Sequence, residues 1–498
     1  MRREIFRTRL YSHSNETPRT SAPIDLLIVD GAGGAGLRCL AQRYGKGRGC
    51  CMAFDILESA ELRSFHRRIT ILSAAGVFLD GFDLTVIAVA LPFLIRQWSI
   101  PPDLIGVVAA SAIFGMLVGS LIFGHLTDRL GRKAMYMFDL VFFVVFAALT
   151  ALSQNIWELL IFRFLLGIGI GADYPISTTL LAEFVPAKTR GMFVALLGAT
   201  WFFGAMCAYI AGYLLLPLGP DAWRWMLGIG AIIALIVIFF RATIPESPRW
   251  FASRGRIDEA NAVLRHLGAA QVSVPNISSH GWIEMFYKPV LRMTVFVSGF
   301  WFCYDVAFYG IAIYTPTILK AFSLGSSGAA YLGSAIVSLL GLVGAMIGVA
   351  LVDRWGRRPL IIFAFAGLTL LVVVLALVPK PVLAVLVVLF GLATLFANMG
   401  PGVLDFVYAT EVFPTGLRAS AAGFATSVSR VGAILSILVF PGLVHSWGLQ
   451  KALWLFVAAS FAGLVICLLL APETKRQNLD DLSEIQQPAR ESLINPHA

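Results

Sequence analysis

Charge is what this sequence has least of. Only 13% of its 498 residues are Asp, Glu, Lys or Arg, against roughly 25% in an average soluble protein. There is too little polar surface to coat several water-soluble domains, so a soluble multidomain enzyme is excluded. Cysteine is sparse too: Cys39, Cys50, Cys51, Cys207, Cys303 and Cys467 show neither a disulfide framework nor metal-ligand spacing. The chain has no Walker loop and no nucleophile–base pair, which argues against an ATP-driven pump and against an enzyme. No cofactor and no metal are expected. The net charge of +9 does not point to nucleic acid, because in a membrane protein Lys and Arg collect in cytoplasmic loops.

What is abundant is apolar length. Hydrophobic residues make up 58% of the chain, and runs of about 20 recur, each able to cross a hydrocarbon core roughly 30 Å thick. A transmembrane barrel would show alternating segments of about 10 residues instead. Twelve spans are expected. The first six are 69–95, 104–124, 134–152, 157–183, 191–216 and 222–241; the second six are 290–319, 329–352, 359–378, 381–410, 418–443 and 450–470. Between them, 242–289 is the one long polar connector, with Arg249, Arg254, Arg256 and Arg265. Loops on one side hold only Arg96, Arg224, Lys320, Lys380 and Lys451. The positive-inside rule makes that side external and puts both termini in the cytoplasm.

The two sets of spans repeat each other. "DRLGRK" at Asp128–Lys133 returns as "DRWGRR" at Asp353–Arg358. Glu183, Pro186 and Arg190 return as Glu411, Pro414 and Arg418, and "PES" at Pro245–Ser247 returns as "PET" at Pro472–Thr474. Three motifs in one order at nearly one offset indicate two six-helix halves, an arrangement found in alternating-access transporters. The expected fold class is therefore an all-α integral membrane protein of two pseudo-symmetric bundles. Residues 1–65 form an N-terminal cytoplasmic extension, 66–241 the first bundle, 242–289 a linker, 290–471 the second bundle and 472–498 a tail. Gly31, Gly33 and Gly36 satisfy a dinucleotide fingerprint, but the first span leaves no room for the βαβ unit that pattern needs. Met52 opens a basic, amphipathic lead-in and is the expected natural start, with 1–51 a gene-model extension.

The loop "GHLTDRLGRK", twice present, resembles the loop motif of the major facilitator superfamily. That resemblance implies that Asp128, Arg129, Arg132, Asp353, Arg354 and Arg357, with Glu183, Arg190, Glu411 and Arg418, act in gating rather than in binding substrate. The bland alternative is a positive-inside anchor.

Acids inside spans cost roughly 2.5–3.5 kcal/mol each on insertion scales, so their retention suggests function or a partner. The candidates are Asp80, Asp83, Arg163, Asp173, Asp305, Asp405 and Arg430. At about 1.5 Å per residue, Asp173, Asp305 and Arg430 converge on the membrane midplane. Asp139 and Glu158 lie nearer span ends, where snorkelling to water is expected. In span seven Trp301, Asp305 and Tyr309 are spaced i, i+4, i+8 and line one helical face. In span four Gly167, Gly169 and Gly171 allow a close helix neighbour, and Asp173 shares a face with Ser177.

These two strings resemble the phosphate:proton symporter branch of the superfamily. The resemblance implies that Asp83, Asp173 and Asp305 handle protons and that Tyr174, Trp301 and Tyr309 contact substrate. The sequence departs from that branch in three places. Trp201 replaces a glutamine in span five, Gly402 replaces an asparagine after "GP" in span ten, and Arg430 replaces a lysine in span eleven. Two phosphate ligands are thus missing and one cation is kept. An arginine fork suits carboxylate as well as phosphate, and Trp201 adds apolar surface. "PESPRW" at Pro245–Trp250 and the pair Asp83 with Arg163 also resemble sugar-porter and metabolite:proton branches, where such a pair couples protonation to gating.

The expected function is proton-coupled symport of a small organic anion, a carboxylate that is possible in aromatic form, by a monomer in a bacterial inner membrane. Its substrate site comprises Tyr174, Trp201, Trp301, Tyr309 and Arg430, and its partners are the substrate, protons and the lipid bilayer. The rivals are an inorganic phosphate:proton symporter, a sugar or polyol porter, and a non-transporting membrane receptor.

Overall fold

The computed structural model describes residues 64–267, 282–287, 290–316, 319, 327–378 and 383–477. The Gly31–Gly36 segment, Met52 and the tail after Gln477 lie outside them. Among the described residues every regular element is helical. The first half contains α1 (Ser64–Trp98), α2 (Pro102–Leu130), α3 (Arg132–Ala151), α4 (Ile156–Phe184), α5 (Arg190–Leu215) and α6 (Ala222–Arg241). The connector carries the short α7 (Pro248–Ser253) and α8 (Ile257–His266). The second half contains α9 (Val290–Ala312), α10 (Ser327–Trp355), α11 (Arg357–Leu377), α12 (Leu383–Met399), α13 (Pro401–Glu411), α14 (Arg418–Trp447), α15 (Leu449–Ala452) and α16 (Trp454–Leu470).

Eleven stretches are long and apolar enough to cross a membrane, and one of them, Arg190–Arg241, is 52 residues long. That stretch is two crossings, α5 and α6, turned at Gly219 with φ 76°. The twelve-helix architecture follows. Span seven ends as a helix at Ala312, short of the expected 319. Span ten is broken into α12 and α13 at Gly400–Pro401. Proline has no N–H to continue a helix and disfavours helical geometry in the residue before it, but it suits the first position of a new helix.

Local signals set several helix starts. Asn155 accepts a hydrogen bond from Glu158 N (3.0 Å), while the Glu158 carboxylate reaches back to Gln154 N (2.8 Å). This reciprocal cap satisfies donors that the first turn of α4 leaves open. The helices α2 and α4 then approach almost backbone to backbone. A Cβ on Gly115 or Gly167 would lie 1.9 Å from a carbonyl oxygen of the other helix. Gly171 serves the same contact, whereas Gly169 faces α3 at ordinary distance.

The two halves meet where α2 packs on α14 and α5 on α10, with α4 against α14 and α5 against α13 behind them. The outer surface is apolar, with side chains such as Phe239 and Leu469 more than two-thirds exposed, as expected against lipid. Eight arginines (132, 163, 190, 241, 249, 357, 418 and 430) are each no more than 2% exposed. The interior therefore carries the charge that the surface lacks, and every such charge needs a partner.

Candidate functional site

A cavity between the two halves is lined from α4, α5, α9, α13 and α14. The span-seven stripe faces it as its spacing predicts: Trp301, Asp305 and Tyr309 all line the wall. So do Tyr174, Trp201 and Arg430. Arg430 donates to Tyr309 Oη at 2.8 Å and lies 3.3 Å from Asp305 Oδ2. Its guanidinium sits 5.1 Å from the Tyr174 ring, 5.8 Å from Trp301 and 5.4 Å from Tyr309. Aromatic faces attract a cation, so three rings and one carboxylate fix the guanidinium in place. Trp201 Nε1 is a buried donor without a hydrogen-bond partner among the described residues.

Six residues that line this cavity are absent from the sequence-derived site: Phe202, Tyr304, Phe308, Gly402, Asp405 and Phe406. Asp405 is signalled by its position in an apolar span, but no spacing ties it to span seven. Tyr304 Oη donates to Asn398 Oδ1 at 2.8 Å. A Cβ on Gly402 would lie 2.5 Å from Tyr304 Oη and 2.7 Å from Asn398 Oδ1. The tyrosine hydroxyl thus fills the space beside Gly402, and a larger residue there has no room without rearrangement.

Trp201, Phe202 and Phe308 line both this cavity and a second, larger chamber. Its walls are apolar with hydroxyls from Thr85, Ser334, Ser338 and Thr394, and no charged side chain lines it.

Asp83 and Arg163 are brought together as expected. Arg163 Nη1 lies 3.7 Å from Asp83 Oδ2, Nη2 donates to the Asp83 carbonyl at 3.4 Å, and neither side chain is more than 1% exposed.

Asp173 does not join the cavity. It pairs with Arg241 Nη1 at 2.9 Å and accepts from Ser177 at 2.8 Å. Arg241 also binds Asp139 at 3.0 Å and stacks 3.7 Å from the centre of the Tyr136 ring. This corrects two expectations. Convergence at one depth does not place Asp173 beside Asp305 and Arg430, because the two face different bundles. Asp139 does not snorkel, being 3% exposed and held by Arg241. Arg241 ends an apolar helix, where sequence alone suggests a solvent-seeking cation, so its inward turn carries no sequence signal. A Cβ on Gly76 would meet Arg241 Nη2 at 1.7 Å, so this glycine makes the space for the guanidinium.

The repeated motifs assemble at one end of the helices, where the loops after α2 and α10 lie, into two matching networks. Arg132 lies 3.3 Å from Glu183, and Arg357 lies 2.7 Å from Glu411. Asp128 accepts from Ser420 N at 2.8 Å, and Asp353 accepts from Met192 N at 2.9 Å. Each aspartate therefore caps a helix start in the opposite half, where open N–H groups and the helix dipole favour a negative charge. Glu246 accepts from Arg132 N and Lys133 N, both at 3.0 Å, and Glu473 does the same for Arg357 N and Arg358 N at 3.0 and 3.1 Å. Burial pushes the Glu246 carboxyl above its ordinary value, and these backbone donors pull it back. Gly131 and Gly356 take φ 112° and 103°, and a Cβ on either would lie 2.5 Å from its glutamate. Only glycine suits both demands.

The networks differ in detail. Glu183 is also 3.3 Å from Arg418 across the halves. Arg190, the counterpart of Arg418, donates to the Ala182 and Gln477 carbonyls. Trp250 Nε1 and Arg254 both donate to the Asp128 carbonyl at 2.9 Å. Arg129 and Arg354 stand exposed outside these networks.

Comparison with known proteins bears on the fold and the family. The family model described as "Sugar (and other) transporter" matches residues 69–485. The chain is 32% identical to the inner membrane metabolite transport protein YgcS of Escherichia coli, over 84% of this chain and 94% of that protein. It is 27% identical to the niacin transporter NiaP of Acinetobacter baylyi, covering 86% of this chain and 98% of that one. A solved structure of the proton:xylose symporter XylE, bound to 6-bromo-6-deoxy-D-glucose, superposes with a TM-score of 0.76 at 24% identity, covering 85% of this chain and 99% of that one. With the fold, the repeated loops and the buried charges, these matches make the chain a multi-pass membrane protein of the sugar (and other) transporter family, within the major facilitator superfamily.

Proposed function

We propose that this protein is a proton-coupled symporter of a small organic anion, working by alternating access. The observation that carries the reading is Arg430, a fixed guanidinium facing an aromatic cavity beside the unpartnered Trp201 Nε1. An arginine fork matches a carboxylate with two parallel hydrogen bonds, and the surrounding rings suit an aromatic body. The niacin transporter among the relatives carries a substrate of that kind. Asp305 supplies the coupling: ionised, it occupies Arg430; protonated, it releases that charge for the substrate. Asp83 with Arg163 forms the gating switch, and Asp173 relays protons inside the first bundle. The paired loop networks hold the cytoplasmic side shut while the cavity loads. The protein acts as a monomer in a bacterial inner membrane with both termini in the cytoplasm.

Uptake of labelled nicotinate into proteoliposomes tests this. Accumulation should rise when the outside is made acidic and vanish with a protonophore. Uptake indifferent to the pH gradient contradicts the coupling.

A neutral sugar is the second reading, favoured by the uncharged, hydroxyl-bearing outer chamber. Xylose that competes with nicotinate would support it. Inorganic phosphate is disfavoured by the room lost at Gly402.

A further inference from the structure

The cavity holds two carboxyls and one guanidinium, and only one of the carboxyls has a partner. Asp305 is paired with Arg430. Asp405 comes from α13, lines the same cavity, and is 4% exposed. Among the described residues no basic side chain pairs with it, and its one hydrogen bond to Oδ1 comes from the neighbouring Phe406 N at 2.7 Å. It caps no helix start, since α13 begins four residues earlier at Pro401. A carboxyl inside a membrane protein that pairs with no cation among the described residues is a functional group by default, and this one faces the cavity.

The walls around Asp405 are of one kind. Tyr174 stacks on Phe406 with ring centres 5.2 Å apart, Trp301 lies 6.3 Å from the same ring, and Tyr304 faces the cavity beside them. Aromatic faces beside a carboxylate form the surroundings that bind ammonium and pyridinium groups. The cavity thus has two poles. One is a donor pole at Arg430 and Trp201 Nε1, and the other is an acceptor pole at Asp405.

We propose that the substrate is a zwitterion, a carboxylate that also carries a fixed or protonated nitrogen cation, with Asp405 recognising the cation. This rests on the reading of Arg430 as the carboxylate ligand. The charge arithmetic supports it. With Asp305 protonated, as carboxylate binding at Arg430 requires, the cavity holds one negative charge at Asp405 and one positive at Arg430, and a simple monoanion leaves one negative charge in excess. A zwitterion adds no net charge and gives Asp405 its counter-ion.

Nicotinate and N-methylnicotinate make the test, because they share a ring and a carboxylate and differ in a fixed positive charge. Calorimetric titration of each into the purified full-length protein at pH 7.5 should show N-methylnicotinate binding at least tenfold more tightly. Asp405→Asn should abolish that preference, and Arg430→Ala should remove binding of both. Nicotinate binding equal to or tighter than that of N-methylnicotinate in the wild type, with Arg430→Ala still abolishing it, overturns the zwitterion and leaves the anion reading standing. Failure of both probes to bind overturns both readings. A variant that does not fold leaves the wild-type comparison decisive. If Asp405→Asn leaves the probe ratio unchanged but lowers the protons taken up per nicotinate from two to one, Asp405 is a second proton carrier and the proposal is wrong.

Discussion

Two buried clusters in this protein are built from the same parts and do different things. In the first bundle Arg241 is held by Asp173, Asp139 and the face of Tyr136. At the interface of the halves Arg430 is held by Asp305, the Tyr309 hydroxyl and three aromatic rings. The second borders the cavity between the halves, which none of the side chains of the first cluster lines. Arg241 has packed protein on all sides, its space opened by the absence of a side chain at Gly76. Burial and charge alone therefore do not mark a substrate site. What marks a candidate site is a charged group facing empty volume between the two halves.

The largest expected effect separates the two arginines. Arg430→Ala should weaken nicotinate binding by about a hundredfold or more, since removing one partner of a buried pair costs roughly 3–5 kcal/mol. Titration calorimetry reads this directly, and near-normal affinity would take Arg430 out of the site. Arg241→Ala strands two carboxylates instead. It should cost a similar roughly 3–5 kcal/mol in folding stability, seen as a lower melting temperature, with the nicotinate Kd unchanged in the protein that remains folded. A matching fall in affinity would break the comparison.

A smaller effect is expected at the repeated loops, where Asp128 touches neither cluster. Asp128→Asn weakens charge-assisted hydrogen bonds worth about 1.5–3 kcal/mol. Cysteines placed along the cytoplasmic ends of α2 and α14 should then label about tenfold faster, and unchanged labelling would argue against a latch. The smallest change tests the donor pole. Trp201→Phe keeps the ring and removes Nε1–H, which should weaken nicotinate by a few-fold, the worth of one net hydrogen bond of about 1 kcal/mol. No change would mean the indole only packs.

The fold was legible because its signals are local or repeated. Apolar runs mark the spans, and the doubled loops mark the two halves. The i, i+4, i+8 stripe placed Trp301, Asp305 and Tyr309 on the cavity, and depth arithmetic put Arg430 at their level. Depth could not say which way a side chain faces, and so Asp173 was grouped with a cluster it does not touch. Asp405 depends on the break at Gly400–Pro401, which re-aims the second part of span ten and leaves no periodic trace across it. Arg241 was hidden because a cation at a helix end has an ordinary alternative in water. In each miss the deciding fact was a contact between distant segments.

The doubled helix caps have a mechanical consequence. Asp128 and Asp353 each hold a helix start of the opposite half, so neither can let go without baring backbone N–H groups in its partner. A small rocking displacement strains both at once, and the second comes free once the first has parted. This end of the molecule should therefore behave as a snap fastener with two studs, passing from shut to open without a stable half-open position.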